Sequence, residues 1–330
     1  PPEVCVMSAL VSLTLNHNQL RTINRDISKL TNLRELRVSD NSLIALPSEL
    51  ESCSSLVRLE ARNNQLNSVP CEIASMAGLR ALELTGNPIN SPPENVVQRG
   101  VEAMLEYLAE IYKIRDTRKA DFGGMHLTSF PVECCLHIEL ADLSVANNEL
   151  TSLPGSIQAL VNLTSLNMDN NKLTSLHPSI RQLASLRYLS LEHNQMDSVI
   201  PVIGKLTELR VLKLSSNKIK TLPATIGALG QLRELQLGDN LLESLPAAMG
   251  GLSSLNTLVL LDNQLATMPA ETGLLTNLTY LSLVGNPLTS LPLEIGNLEL
   301  LRVMNLDDGN LQTPPREVRL FLGPNSDPAS

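Results

Sequence analysis

The strongest constraint on this chain is a repeat of fixed length. Aligned on L-x-x-L-x-L-x-x-N-x-L, first leucines fall at Leu10, Leu33, Leu56 and Leu79, then at Leu140, Leu163, Leu186, Leu209, Leu232, Leu255, Leu278 and Leu301. Every step but the one from 79 to 140 is 23 residues. Counting back 23 from Leu140 reaches Thr117, which opens a worn copy, TRKADFGGMHLTSFP, where Phe122, Leu127, Phe130 and Pro131 keep the pattern. The gap is one degenerate copy plus 15 extra residues, so the chain holds thirteen copies. A unit this short cannot enclose a core alone; it buries its apolar side on the next copy, and the fold is a one-dimensional stack. Composition agrees, since 66 of 330 residues are Leu and only seven are aromatic, which leaves aliphatic layers to build the core.

Each position in the unit has a physical task. In L-x-x-L-x-L the alternating leucines of a short strand point into the core and the residues between them point out. Stacked strands then make a parallel sheet. The Asn at the ninth position sits where the chain leaves the strand, and its amide can bond backbone groups of its own and the adjacent turn. Eleven copies keep it, at Asn18, Asn41, Asn64, Asn87, Asn148, Asn171, Asn194, Asn217, Asn240, Asn263 and Asn286; Met125 and Gly309 replace it in the other two. The second half of the unit reads L-P-x-x-I-x-x-L, as in Leu153-Pro154 to Ile157 and Leu160. Proline is expected to stop the strand there, and the i, i+3 apolar spacing suits a short helical turn on the far side.

The repeats resemble the leucine-rich-repeat family. The 23-residue unit with Leu-Pro, recurring at Leu46, Leu153, Leu222, Leu245 and Leu291, is similar to its intracellular Ras-group class, which includes plant members and an animal Raf-phosphatase scaffold. The resemblance implies an α/β solenoid, a horseshoe with a parallel concave sheet and short helical, 3-10 or extended convex segments.

One segment breaks the rhythm. After GNPINSPP comes ENVVQRGVEAMLEYLAEIYKIRDTRK, with Val97, Val101, Met104, Leu105, Leu108, Ile111 and Tyr112 at helical spacing. The division expected is therefore repeats over 1–93, an amphipathic helical insertion over 94–118, repeats over 119–313, and a tail over 314–330 for which disorder is one reading. The apolar stripe either packs on neighbouring convex turns or docks a partner helix-fashion. The extra residues lie outside any strand, so the sheet is expected to run on through the degenerate copy. Pro1 falls in the Leu-Pro slot of a copy whose strand is missing, and the chain reads as starting mid-repeat.

The search for chemistry is mostly negative. His17, His126, His137, His177 and His193 fit no metal-ligand spacing, and no phosphate-binding glycine loop or nucleophile elbow occurs. In Cys134-Cys135-Leu136-His137, Cys134 occupies the Ile slot of its copy, as Cys53 occupies a Leu slot, so both read as small core residues. No cofactor, metal or catalytic residue is expected. Five cysteines without clustered spacing fit a reducing compartment, and the reading is cytoplasmic. Two N-x-T sequons, at Asn162 and Asn277, keep a secreted reading open. The formal charge of −9 and the lack of a basic tract speak against nucleic acid, and no apolar run is long enough for membrane insertion.

What remains is surface. Thirteen rungs at strand spacing span ~60 Å, a scale suited to a protein partner. Specificity must then sit on the third, fifth, seventh and eighth positions of each copy. Early copies mix Arg37, Arg58 and Arg62 with Glu35, Glu60 and Glu83, whereas later ones turn acidic through Asp142, Asp169, Glu192, Glu234, Asp239, Asp262, Asp307 and Asp308. Against that ground stand Tyr188, Val211, Val259, Leu261, Tyr280 and Val284. The expected protein-binding residues are Tyr188, Glu192, His193, Val211, Val259, Leu261, Asp262, Tyr280 and Val284, with Val259, Leu261, Tyr280 and Val284 grouped on two consecutive copies. The function expected is a non-catalytic protein-protein interaction scaffold in intracellular signalling. An extracellular receptor-type module and a regulatory repeat region of a larger enzyme are the alternatives. The family resemblance alone suggests a small GTPase or a phosphatase assembly as partner.

Overall fold

The computed structural model describes residues 2–307. The tail over 314–330, with Asp308, Gly309 and the first residue, Pro1, lies outside the described residues. The chain divides into two compact units, residues 1–137 and 138–330.

Every copy forms one strand of three residues, spanning its third to fifth positions. In unit 1, β1 (Ser12–Thr14), β2 (Glu35–Arg37), β3 (Arg58–Glu60) and β4 (Ala81–Glu83) make a parallel four-stranded sheet in chain order. The register is one unit per step, Leu13 beside Leu36, Leu36 beside Leu59 and Leu59 beside Leu82. After the insertion comes β5 (Lys119–Asp121), the strand of the degenerate copy, which is not a rung of that sheet. The sheet expected to continue through the degenerate copy is therefore interrupted after β4, because helices occupy the chain between the two strands. In unit 2, β6 (Asp142–Ser144), β7 (Ser165–Asn167), β8 (Tyr188–Ser190), β9 (Val211–Lys213), β10 (Glu234–Gln236), β11 (Thr257–Val259), β12 (Tyr280–Ser282) and β13 (Val303–Asn305) pair in parallel with the same register.

The ninth-position asparagines staple the turns. The Nδ2 of Asn217 donates to the carbonyls of Leu214 (3.0 Å), Ser215 (3.2 Å) and, one copy back, Leu191 (2.9 Å). Its Oδ1 accepts from the N–H of Met196 at 3.0 Å. One buried amide thus satisfies four backbone groups that water cannot reach.

Opposite the strands, each Leu-Pro leads into a five-residue 3-10 turn, such as Gly155–Ala159, Ala224–Ala228 and Leu293–Asn297. Proline stands before the turn with an extended backbone, at Pro154, Pro223 and Pro292. The strand has ended ten positions earlier, so proline does not terminate it as expected. Termination comes from the eighth residue, whose backbone is left-handed, as at Asn170 (φ 53°) and Ser216 (φ 55°). The 3-10 turns of unit 2 lie close: a Cβ on Gly227 would come 2.0 Å from the carbonyl oxygen of Ala248.

The insertion is two helices, α1 (Glu94–Gln98) and α2 (Val101–Thr117), separated at Gly100, whose φ of 94° suits glycine. The buried face of α2 is Met104, Tyr107, Leu108, Ile111 and Ile114. The expected stripe had the wrong phase in part, since Val97, Val101, Leu105 and Tyr112 are only half-buried. The break at Gly100 resets the helical phase, and Tyr107 turns inward because its polar tip has a partner. Its ring lies 5.2 Å from that of Phe122, and its hydroxyl donates to the Glu133 carboxylate at 2.7 Å. The helix packs on the 3-10 turn Cys71–Ser75, where Arg115 meets buried Glu72 at 2.7 Å. The apolar face of α2 is thus covered by its own unit.

Candidate functional site

Outward strand positions follow one plan in every copy. The third and fifth residues flank an inward leucine, replaced by Ala120 in the degenerate copy and Met304 in the last, and the seventh and eighth carry the chain into its turn. All described eighth positions, from His17 to Gly285, have φ between 51° and 81°. Left-handed backbone favours Gly, Asn, Asp and His. His193, Asp239 and Asp262 therefore occupy positions whose residue type the turn already restricts, and their identity says less about a ligand than that of a strand residue. Nothing in linear order distinguishes this constraint from a free surface position; the column of eighth residues read down the copies does.

In unit 1 the charges on this face neutralise one another. Arg37 reaches Glu35 at 3.1 Å and Glu60 at 3.9 Å, Arg58 reaches Glu60 at 2.6 Å, and Arg62 reaches Glu83 at 3.0 Å. Asp40 accepts from the Asn63 amide at 2.8 Å and lies 3.5 Å from His17.

Unit 2 differs. Lys213 is the one Lys or Arg at these outward positions among its described residues, and it lies 3.9 Å from Glu234. Asp169 is engaged by the Ser190 hydroxyl (2.6 Å) and the Glu192 N–H (2.7 Å), and Asp307 by the Gly285 N–H (2.6 Å). Glu192, Asp239 and Asp262 have no ion pair among the described residues. Glu192 is half-buried, while Asp239 and Asp262 are exposed.

The apolar candidates form two groups. Tyr188 and Val211 are direct neighbours on β8 and β9, both half-buried. The second group lies on β11, β12 and their turns. Leu261 and Val284 hold the same position on adjacent copies, tied by the Asp262 N–H donating to the Val284 carbonyl at 2.7 Å. Val259 pairs with Ser282, and Tyr280 with Thr257. Leu261 leans over Gly238 on the preceding copy, where a Cβ would come 3.0 Å from its Cγ. Without a side chain at 238, the leucine lies flat and half-buried. The Tyr280 hydroxyl accepts from the Asn305 amide on the adjacent strand at 3.1 Å, which restrains the ring. Sequence reasoning missed Val303, the strand neighbour of Tyr280, which is 42% exposed. It holds the same third position as Tyr188 and Tyr280, a signal already in the repeat.

Other singled-out residues have structural tasks. Cys53 and Cys134 are fully buried, as the core reading expects, and burial first and a neighbouring thiol second push the Cys53 thiol up to about 11. The sequon amides of Asn162 and Asn277 donate to the carbonyls of Ile138 and Ser253 one copy back, at 2.9 and 2.7 Å. Asn32, in no sequon, does the same to Ser8 at 3.0 Å. Among the described residues no group of three or more His, Cys, Asp or Glu is placed to hold a metal, and no helix is long and apolar enough to cross a membrane.

Comparison with known proteins places these features in a family. Profiles described as leucine-rich repeat region, leucine rich repeat and leucine rich repeat match residues 169–279, 138–196 and 277–298. Among solved structures, the chain is similar to a leucine-rich-repeat protein of Leptospira interrogans, at 30% identity over 96% of this chain and 77% of the other, with a TM-score of 0.51. It is also similar to the plant peptide hormone receptor RGFR1, solved in complex with RGF2, at 28% identity, TM-score 0.55, over 91% of this chain and 48% of the receptor. An internalin of Listeria monocytogenes shares the fold at 21% identity and TM-score 0.53, over 95% of this chain and 88% of the other. No curated protein sequence matches the chain.

Proposed function

Since the chain belongs to the leucine-rich-repeat family, we propose that it is a non-catalytic scaffold that holds a protein partner on the strand face of unit 2. The observation that carries this reading is the group Val259, Leu261, Tyr280 and Val284 on adjacent copies, with Asp239 and Asp262 unpaired beside it. Apolar side chains fixed by a bare glycine and a bound hydroxyl form a preorganised interface core. Unpaired carboxylates around it favour a partner with a basic patch and speed its approach. Tyr188, Val211, Glu192 and His193 lie two to four copies away and serve as a second contact.

A cytoplasmic setting is supported by five free cysteines, four of them buried in repeat or helical-turn slots. The Leu-Pro unit resembles the Ras-group class, and the junction GNP, PP and G-x-E-A-x-L-E-Y-L over 86–108 resembles leucine-rich-repeat-containing protein 40. By that resemblance alone, a small GTPase or a phosphatase assembly is the partner class to try first. The similarity to a plant receptor bound to its peptide hormone favours a second reading, an extracellular peptide-binding module.

The test is capture of partners from native lysate by the chain and by a variant carrying Leu261→Asp and Tyr280→Ala. The variant keeps its circular dichroism and melting temperature and loses at least about thirtyfold in affinity for any captured protein. Undiminished capture removes this location. A captured partner that is a secreted peptide replaces the intracellular reading with the receptor-type one.

A further inference from the structure

The four-stranded sheet of unit 1 ends at β4, beside which no further strand pairs among the described residues. Between its rungs the bonds follow a fixed rule. The sixth-position N–H donates to the next rung, as Leu15 to Arg37 (2.7 Å), Val38 to Glu60 (2.7 Å) and Ala61 to Glu83 (2.9 Å). The eighth-position N–H does likewise, as Asp40 to Arg62 and Asn63 to Thr85, both at 2.9 Å. The second-position carbonyl accepts in return, Val57 O from Arg80 N at 2.8 Å. The N–H of the eleventh residue donates to the next asparagine, Leu43 to Asn64 (2.9 Å) and Leu66 to Asn87 (3.0 Å).

At β4 the counterparts are the N–H groups of Leu84, Gly86 and Ile89 and the carbonyl of Arg80. None has a partner among the described residues. The core there is slightly open as well, with Leu82 7% and Leu84 4% exposed where Leu36, Val38, Leu59 and Ala61 are at 0%. This edge lines a cleft of about 770 Å³, whose other wall is α1 and the start of α2, with Val97, Val101 and Met104. That volume is within the ~300–1,000 Å³ of typical ligand sites.

We propose that this cleft binds an extended segment of a partner protein, which adds beside β4 as a fifth parallel rung. The free donors are spaced as in the rungs before them, so a parallel segment meets Leu84 and Gly86 with two of its carbonyls, two residues apart, and gives an N–H to Arg80 O. Charge sets the chemistry of the segment. Arg80, just before β4, is exposed and has no ion pair; Glu83 is tied to Arg62, and Glu94, which lines the cleft past the turn beyond the strand, accepts from the Gln98 amide at 3.0 Å and has no cation beside it among the described residues. The segment that fits is acidic at its N-terminal end and basic at its C-terminal end, with two alternating apolar residues directed to the half-buried Val97 and Val101. This site lies in unit 1 and does not depend on the strand-face reading for unit 2.

The experiment uses the acetylated peptide Glu-Leu-Ser-Leu-Ser-Ser-Asn-Lys, its reversed sequence, and the intact chain. Binding of the forward peptide is expected to slow amide exchange at Leu84 and Gly86 by about tenfold or more. Arg80→Glu is expected to weaken it by about tenfold, and Val101→Trp to block it, with exchange in β1–β3 unchanged to show that the fold is kept. Four results overturn the proposal: no binding up to about 1 mM, equal binding of the reversed peptide, binding that leaves both amides unprotected, or protection without peptide accompanied by a dimer mass. The last would make a second copy of the chain the occupant.

Discussion

Unit 1 and unit 2 present the same four outward positions on each rung but dispose of charge in opposite ways. In unit 1 three arginines and three glutamates pair on the face, so a partner would have to break pairs that already exist. In unit 2, Glu192, Asp239 and Asp262 stand without a cation, and aliphatic side chains and two tyrosines fill strand positions. A repeat scaffold fixes where outward residues sit; what makes one stretch a site is interaction capacity that the chain itself leaves unused. Exposed ion pairs are each worth ~0–1 kcal/mol, so unit 1 gains little stability from its pairs. Their consequence is a face with little net attraction for either sign of charge.

If that contrast lies only in outward residues, the inward scaffold must be equivalent in both units. Asn64 and Asn217 make the same four bonds. Either changed to Ala is expected to cost about 3 kcal/mol, with several backbone groups left unsatisfied. Denaturant melts that differ strongly between the two would break the comparison. A smaller effect is expected where α2 is tied to unit 1. Burial pushes the Glu72 carboxyl up, but its backbone hydrogen bond and Arg115 together outweigh this and hold it below its ordinary 4.5. Glu72→Gln should cost about 1–2 kcal/mol at neutral pH. The folded-state pKa is the lower one, so this contribution is complete above 4.5 and fades as pH falls through the depressed value. A gap between wild type and variant that stays constant down to pH ~2 would remove the ion pair from the account. Least affected should be Arg62→Ala, which breaks the pair with Glu83 and is expected to shift stability by less than about 1 kcal/mol. A larger loss would mean that unit 1's pairs are structural, and the contrast between the faces would need another cause.

The sequence made the scaffold legible because leucine and asparagine at fixed spacing have one physical use each. All thirteen strands fall two residues after the predicted first position, including β5 in the worn copy. The grouping of Leu261 with Val284 was legible for the same reason. Three features were not. The left-handed eighth residue is not visible within a single copy, where Asn, Asp, His, Ser or Gly also reads as polar surface, and shows only in the column of eighth residues read down the copies. The phase of α2 was lost across Gly100, since the apolar spacing on either side fits one continuous helix nearly as well. The unpaired edge of β4 depends on which element lies beside it in space, and the 15 extra residues gave no sign that they would leave hydrogen bonds unmade.

The central claim is that the strand face of unit 2, and not that of unit 1, carries the partner. Carboxylate footprinting of the intact chain, free and bound to a captured partner, tests it directly. Asp239 and Asp262 are expected to become protected on binding while Glu35, Glu60 and Glu83 label as before. Protection confined to Glu35, Glu60 and Glu83, with Asp239 and Asp262 still labelled, would contradict it.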